Sequence, residues 1–216
     1  MASDPSDEEF EEAAATILGR SLTRPERVLI DKYLDLLVKW NEVHRLVGSS
    51  QRQWLLINLV LDSLLFLRAL PAHVTDVADL GSGAGVPGVP IAVVRRDLSM
   101  TLIESRRKRA SFLAAVLREL PIENARLVAA RAEDVGGLQA AFDVVLARCA
   151  GNIDSVLRAA LPLLRPGGVA VVAGRPADRS EATPPGGGRW VTVPKGRHWP
   201  VRQFLVCERT GPSCST

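Results

Sequence analysis

Residues 74–88, VTDVADLGSGAGVPG, constrain this chain more than any other stretch. Val77, Ala78 and Leu80 are small or apolar and follow Val74 and Thr75, the composition of a strand buried on both faces of a parallel sheet. The chain then breaks into Gly81, Gly83 and Gly85 and enters an apolar run from Pro90 to Arg95 that reads as a helix. Glycine permits a tight turn and close approach of backbone to a ligand, and a helix start offers unpaired N–H groups. Strand, glycine turn and helix in that order predict a ligand at the turn.

Three ligand classes use such a turn. A phosphate-binding loop needs Gly-Lys-Ser/Thr at its end, and no lysine lies between Leu80 and Met100. A dinucleotide fingerprint needs a third glycine where this chain has Val86. What remains is Asp79-Leu80-Gly81-Ser82-Gly83-Ala84-Gly85, an acid at the strand tip followed by G-x-G-x-G. It resembles motif I of the S-adenosyl-L-methionine-dependent methyltransferases, in which the turn approaches the methionine part of the cofactor.

The rest of the chain fits one large domain, or one domain with an appendage. At 216 residues it can bury a real core, and 47% hydrophobic residues exclude disorder for most of it. Residues 1–50 hold ten acids against six bases, a balance of −4, so with a total of +3 the remainder carries +7. A polyanionic partner would therefore meet the later part. Cys149, Cys207 and Cys214 form no C-x-x-C pair, so neither a disulfide framework nor a zinc site is indicated. The acidic start is unlike a signal peptide, and no apolar run approaches a membrane span. The expectation is a soluble, cytoplasmic monomer without a metal.

Helical spacing of Phe10, Ala13, Ala14, Ile17 and Leu18 predicts a first helix ending near Gly19. Thr23-Arg-Pro-Glu26 is a capped start for a second, which stops before Gly48. Gln51 to Leu70 is a third helical segment, closed by Pro71. Residues 1–72 therefore read as a helical cap and 73–216 as the α/β part. There, strands are expected at 74–80, 99–104, 125–129, 142–148, 168–174, 189–194 and 202–208, with helices at 88–96, 107–120 and 152–164. This alternation predicts a mostly parallel, seven-stranded sheet with helices on both faces; the last strand should run antiparallel, since no crossover helix fits before it. The Pro/Gly-rich, polar stretch 175–189 should be a mobile loop.

Open parallel sheets bind ligands beyond the carboxyl ends of their strands, so the strand tips belong together. Glu104, with Ser105 beside it, ends the second strand 23 residues after Gly81 and is placed to accept ribose hydroxyls. After the third strand, Ala132 and Glu133 could meet an adenine edge. Arg148 ends the fourth. An arginine there either binds cofactor or substrate or pairs with an acid such as Glu133. Arg106, Arg107, Lys108 and Arg109 crowd a helix start, where the dipole disfavours cations, which suggests either an anionic partner or a solvated helix end. Cys149 reads as a small packing residue, and His44, His73 and His198 as surface or packing residues.

The stretches VADLGSGAGVPGVPIAV, LIESRRKRASFLAAVLREL, ARAEDV and FDVVLARCAG together closely resemble the glucose-inhibited division protein B family. Its members are ribosomal RNA small-subunit methyltransferase G enzymes, which methylate guanine N7 in 16S rRNA. The resemblance runs from Trp40-Asn41 to Arg202-Gln-Phe-Leu205. It implies a class I, Rossmann-like methyltransferase fold and S-adenosyl-L-methionine as cofactor. It places Gly81 and Val86 in the cofactor cleft, Ala132 and Glu133 at the adenosine, and Arg148 at the border of cofactor and target as the catalytic candidate. Asp79, Ser82, Gly83, Gly85, Glu104 and Ser105 complete the expected cofactor set.

The chain also departs from the family. Asn58-Leu59 stands where the family has Arg-His ahead of Asp62-Ser63, Ala173-Gly174 where it has Lys-Gly, and Arg45 where an asparagine is usual. The cofactor side is intact and the substrate side is altered. The leading expectation is methylation of 16S rRNA or the 30S subunit. The alternatives are a relative that methylates a small molecule and a cofactor-binding protein without catalysis.

Overall fold

The computed structural model describes residues 7–148, 152–174 and 185–210. Cys149, Cys214 and residues 175–184 of the expected loop lie outside the described residues.

Three helical segments precede the sheet. Helix α1 (Asp7–Leu18) buries Phe10, Ala13, Ala14 and Ile17. Helix α2 (Arg24–His44) begins at a capping box in which the Thr23 hydroxyl and the Glu26 carboxylate each accept the other residue's backbone N–H. The third segment changes winding along its length. It runs as α3 (Arg52–Leu55), a π-helical stretch (Leu56–Leu61), α4 (Asp62–Leu64) and a 3₁₀ stretch (Leu65–Ala69).

Seven strands then form one sheet: β1 (Asp76–Leu80), β2 (Ser99–Ile103), β3 (Ala125–Val128), β4 (Phe142–Arg148), β5 (Leu164–Ala173), β6 (Arg189–Val193) and β7 (Arg202–Glu208). Their spatial order is β3-β2-β1-β4-β5-β7-β6. The first five are parallel, β7 is antiparallel to β5, and β6 is antiparallel to β7. The mostly parallel α/β architecture read from the sequence is therefore present. Helices α5 (Gly88–Val94), α6 (Arg107–Glu119) and α7 (Ile153–Ala160) follow β1, β2 and β4.

One apolar core joins the cap to a face of the sheet, running from Phe10, Tyr33 and Phe66 through Val77, Leu102 and Phe112 to Val171 and Phe204. A second covers the other face with Leu157 and Ala160 of α7. Most element ends fall within two residues of the sequence reading, and two boundaries differ more. Helix α7 ends at Ala160, before Pro166, because Pro162 has no N–H to continue it, and a 3₁₀ turn (Leu161–Leu163) follows. β5 starts earlier, since Leu164 already pairs with Phe142 ahead of a register irregularity.

Gly88 sits at a crowded junction of α5 with the sheet. A Cβ there would lie 2.4 Å from Leu102 Cδ2 and 2.7 Å from Asp79 Oδ2, wedging α5 off β1 and β2. Gly88→Ala is expected to lower stability by about 1–3 kcal/mol, read from urea midpoints at unchanged m-value.

Candidate functional site at the switch point of the sheet

β1 pairs with β2 on one side and β4 on the other, so the strand order reverses between β1 and β4. That is where open α/β sheets place ligands, beyond the carboxyl ends of the strands. A cavity of about 460 Å³ lies there, bounded by the tips of β1, β2 and β4, the segment after β3, and α7. Five residues of the sequence-based set line it: Gly81, Ser105, Ala132, Glu133 and Arg148. Gly81 has φ of +73°, which glycine adopts without strain, and a Cβ placed on it would meet nothing within 4 Å.

The other six sit behind this wall and shape it. Glu104 accepts the Gly83 N–H at 2.8 Å through Oε2 and the Arg106 N–H at 2.7 Å through Oε1. Two of the roughly four lone-pair positions of an ionised carboxylate are therefore taken by backbone. Ser82 donates its hydroxyl to the Asp79 carbonyl at 2.8 Å. Gly85, with φ of +90°, leaves room for Val89, whose Cγ2 would be 2.7 Å from a Cβ there. The Val86 N–H donates to Ser82 O at 3.0 Å.

These bonds decide what the turn can hold. The N–H groups of Gly81 and Ser82 donate to Ile103 O, that of Gly83 to Glu104, and those of Gly85 and Val86 to Ser82 O. A phosphate cradle needs such groups aimed outward. Here they close the turn on itself, so it offers a ligand close backbone approach, with those five N–H groups already committed.

Asp79 is the buried acid of the site. It is wholly shielded; Oδ2 accepts the Gly88 N–H at 3.0 Å, while Oδ1 has no partner. Burial pushes its carboxyl up to about 7, opposed by the Gly88 hydrogen bond, the nearby Ser82 hydroxyl and Arg148 and further raised by Glu104. The unfolded chain releases this proton near 3.8, so between that value and about 7 the native state holds the extra proton. Stability contributed by this group therefore falls as pH rises through that window and is lowest above it. Asp79→Asn is expected to shrink the loss of stability between pH 5 and pH 8, measured by urea denaturation at both.

Arg148 does not pair with Glu133, which is exposed at the cavity rim. Its Nη2 lies 3.1 Å from Asp62 Oδ2 and donates to the Asn58 carbonyl at 2.9 Å. Asp62 and Asn58 come from the cap, and so does Tyr33, whose hydroxyl donates to Ala84 O in the glycine turn at 2.7 Å. The sequence reading counted Asn58 among the altered substrate-side positions but gave neither Asp62 nor Tyr33 a role in the cleft. It also passed over Asn152 and Ser155, which line the cavity; Asn152 caps α7 by accepting the N–H groups of Asp154 and Ser155. A cap signal was legible there, but its proximity to the cleft was not.

Two of the altered positions are packed inside the protein. Leu59 is 4% and Ala173 7% exposed, so neither offers an open site where a polar group has been lost. Arg106, Arg107 and Lys108 are exposed at the start of α6 and, with Arg109, have no acidic partner among the described residues. Arg109 reaches the turn, its Nη1 3.6 Å from where a Gly83 Cβ would stand.

Among known proteins, the family described as rRNA small subunit methyltransferase G (GidB) matches residues 27–182. Ribosomal RNA small subunit methyltransferase G of Xanthomonas campestris pv. campestris is 39% identical over 139 residues, covering 63% of this chain and 63% of that protein. The alignment thus spans less than two thirds of that relative. The same-named protein of Neisseria meningitidis serogroup B is 36% identical over 155 residues, 72% of each chain. Among solved structures, a SAM dependent methyltransferase from Aquifex aeolicus superposes with a TM-score of 0.55 at 13% identity, covering 81% of this chain and 98% of that one. That likeness bears on the fold alone.

Proposed function

Because the chain belongs to the rRNA small subunit methyltransferase G family, we propose that it transfers a methyl group from S-adenosyl-L-methionine to guanine N7 of 16S rRNA in the small ribosomal subunit. The observation that carries this reading is the cleft at the switch point, bordered by a glycine turn with five of its backbone N–H groups already bonded. A volume of about 460 Å³ suits a nucleoside-sized cofactor. Gly81 lines the cleft and leaves the space beside it open. Asp79, Gly81, Ser82, Gly83, Gly85, Val86, Glu104, Ser105, Ala132 and Glu133 form or support the cofactor side, and Arg148 borders the target.

The cofactor supplies an electrophilic methyl on a sulfonium, whose departure as a thioether needs no proton. Guanine N7 carries a free lone pair in the neutral base, so the chain has no proton to remove. Its contribution is alignment and exclusion of water. Glu104 fixes the turn through Gly83, Tyr33 ties the cap to it through Ala84, and the Arg148 guanidinium places positive charge at the mouth. The substitutions at Leu59 and Ala173 fall on buried positions and do not argue for a different acceptor. We take the protein to act as a cytoplasmic monomer; no helix among the described residues is long and apolar enough to cross a membrane.

Labelled methyl incorporation should appear with unmodified 30S subunits or 16S rRNA and not with a cell extract of small molecules. Label in the extract alone would overturn the rRNA assignment.

A further inference from the structure

We propose that Asp62 is the positioning residue for Arg148, holding its guanidinium at the mouth of the cleft from the cap; this rests on the methyltransferase reading of that cleft. Three elements distant in sequence meet here. Arg148 stands at the tip of β4, Asp62 at the start of α4, and Arg202 at the start of β7. The Asp62 side chain is 8% exposed, with Oδ2 3.1 Å from Arg148 Nη2 and Oδ1 accepting from Arg202.

Two features make this more than a buried ion pair. One carboxylate serves two guanidiniums, so the group keeps a net positive charge, and Arg148, at 30% exposure against 21% for Arg202, is the one that lines the cavity. The second is the winding of the cap helix. Through the π-helical stretch, the Asp62 N–H bonds to Ile57 O and Leu59 O and not to Asn58 O. The Asn58 carbonyl and the Asp62 carboxylate then both engage Arg148 Nη2, which has two hydrogens to give. Two acceptors on one nitrogen fix the plane of the guanidinium. A π turn inside a helix is frequently found at functional sites, and here it has an identifiable consequence.

The test is a double-mutant cycle read by calorimetric titration of S-adenosyl-L-methionine. Asp62→Asn should weaken binding about tenfold or more, and Arg148→Met by a similar factor. The double variant should be no weaker than Arg148→Met alone, because Asp62 acts only through that side chain. A purely structural Asp62 would lower the melting temperature and leave the affinities additive. Should Asp62→Asn fold poorly, Asp62→Asn with Arg202→Met removes one charge of each sign, frees Arg148, and should reproduce the loss. Unchanged affinity in these variants, or additive losses in the cycle, would overturn the proposal. A wild-type protein that binds no S-adenosyl-L-methionine would instead overturn the reading on which it rests.

Discussion

Gly81→Leu should abolish most cofactor binding, by about a hundredfold or more, equivalent to about 2.7 kcal/mol. Gly81 has φ of +73°, is exposed, lines the cleft, and has open space where a side chain would go. A leucine there occupies the ligand's space. It also carries the backbone cost of a left-handed conformation, about 1–2 kcal/mol, which would confound the result without a control. Gly167 supplies one. It has φ of +80°, is exposed, and likewise has nothing within 4 Å of where a Cβ would stand, but it lies near the start of β5, outside the cleft lining. Gly167→Leu should therefore match the fall in melting temperature and keep wild-type affinity for S-adenosyl-L-methionine. If both variants bound alike in calorimetry, the cleft assignment would be wrong. Gly83 is a poorer probe, because a side chain there heads toward Arg109.

The parts of this molecule legible in its sequence are those set by local chemistry. The strand at Asp76–Leu80, its glycine turn and the alternation that follows are fixed by composition and period over a few residues. The capping box at Thr23 is readable in the same way. Glu104 is legible as an acid at a strand tip near the turn, but its use of both oxygens on the Gly83 and Arg106 backbone is not. That pairing depends on how β1 and β2 lie side by side. The partner of Arg148 is hidden for the same reason. Glu133 is the nearer acid in sequence, whereas the Asn58 carbonyl is 90 residues away and Arg202 joins Asp62 across 140. Nor does any residue pattern announce that Leu56–Leu61 winds as a π turn. Nor does the string of letters show that two of the family departures, Leu59 and Ala173, are packed inside.

Replacing Arg106, Arg107 and Lys108 together by glutamine should weaken binding to unmodified 30S subunits by about a hundredfold at low salt. The three side chains are exposed at the carboxyl edge of the sheet, ahead of a helix whose first turn holds no acid. Cations there oppose the positive end of the helix dipole, and among the described residues no acidic side chain forms an ion pair with them. Such an arrangement costs stability in the free protein, a cost that bound phosphates would offset. Glutamine has nearly the helix propensity of lysine and arginine, so the variant should melt at the wild-type temperature or slightly above it. Its binding should fall, and the slope of log affinity against log salt should flatten by about 0.7–0.9 per phosphate contact removed. Affinity for S-adenosyl-L-methionine should stay near the wild-type value, because none of the three lines the cleft. A variant that binds subunits as tightly as wild type with an unchanged salt slope would show that this helix start is merely solvated. The RNA would then have to enter the cleft from another side.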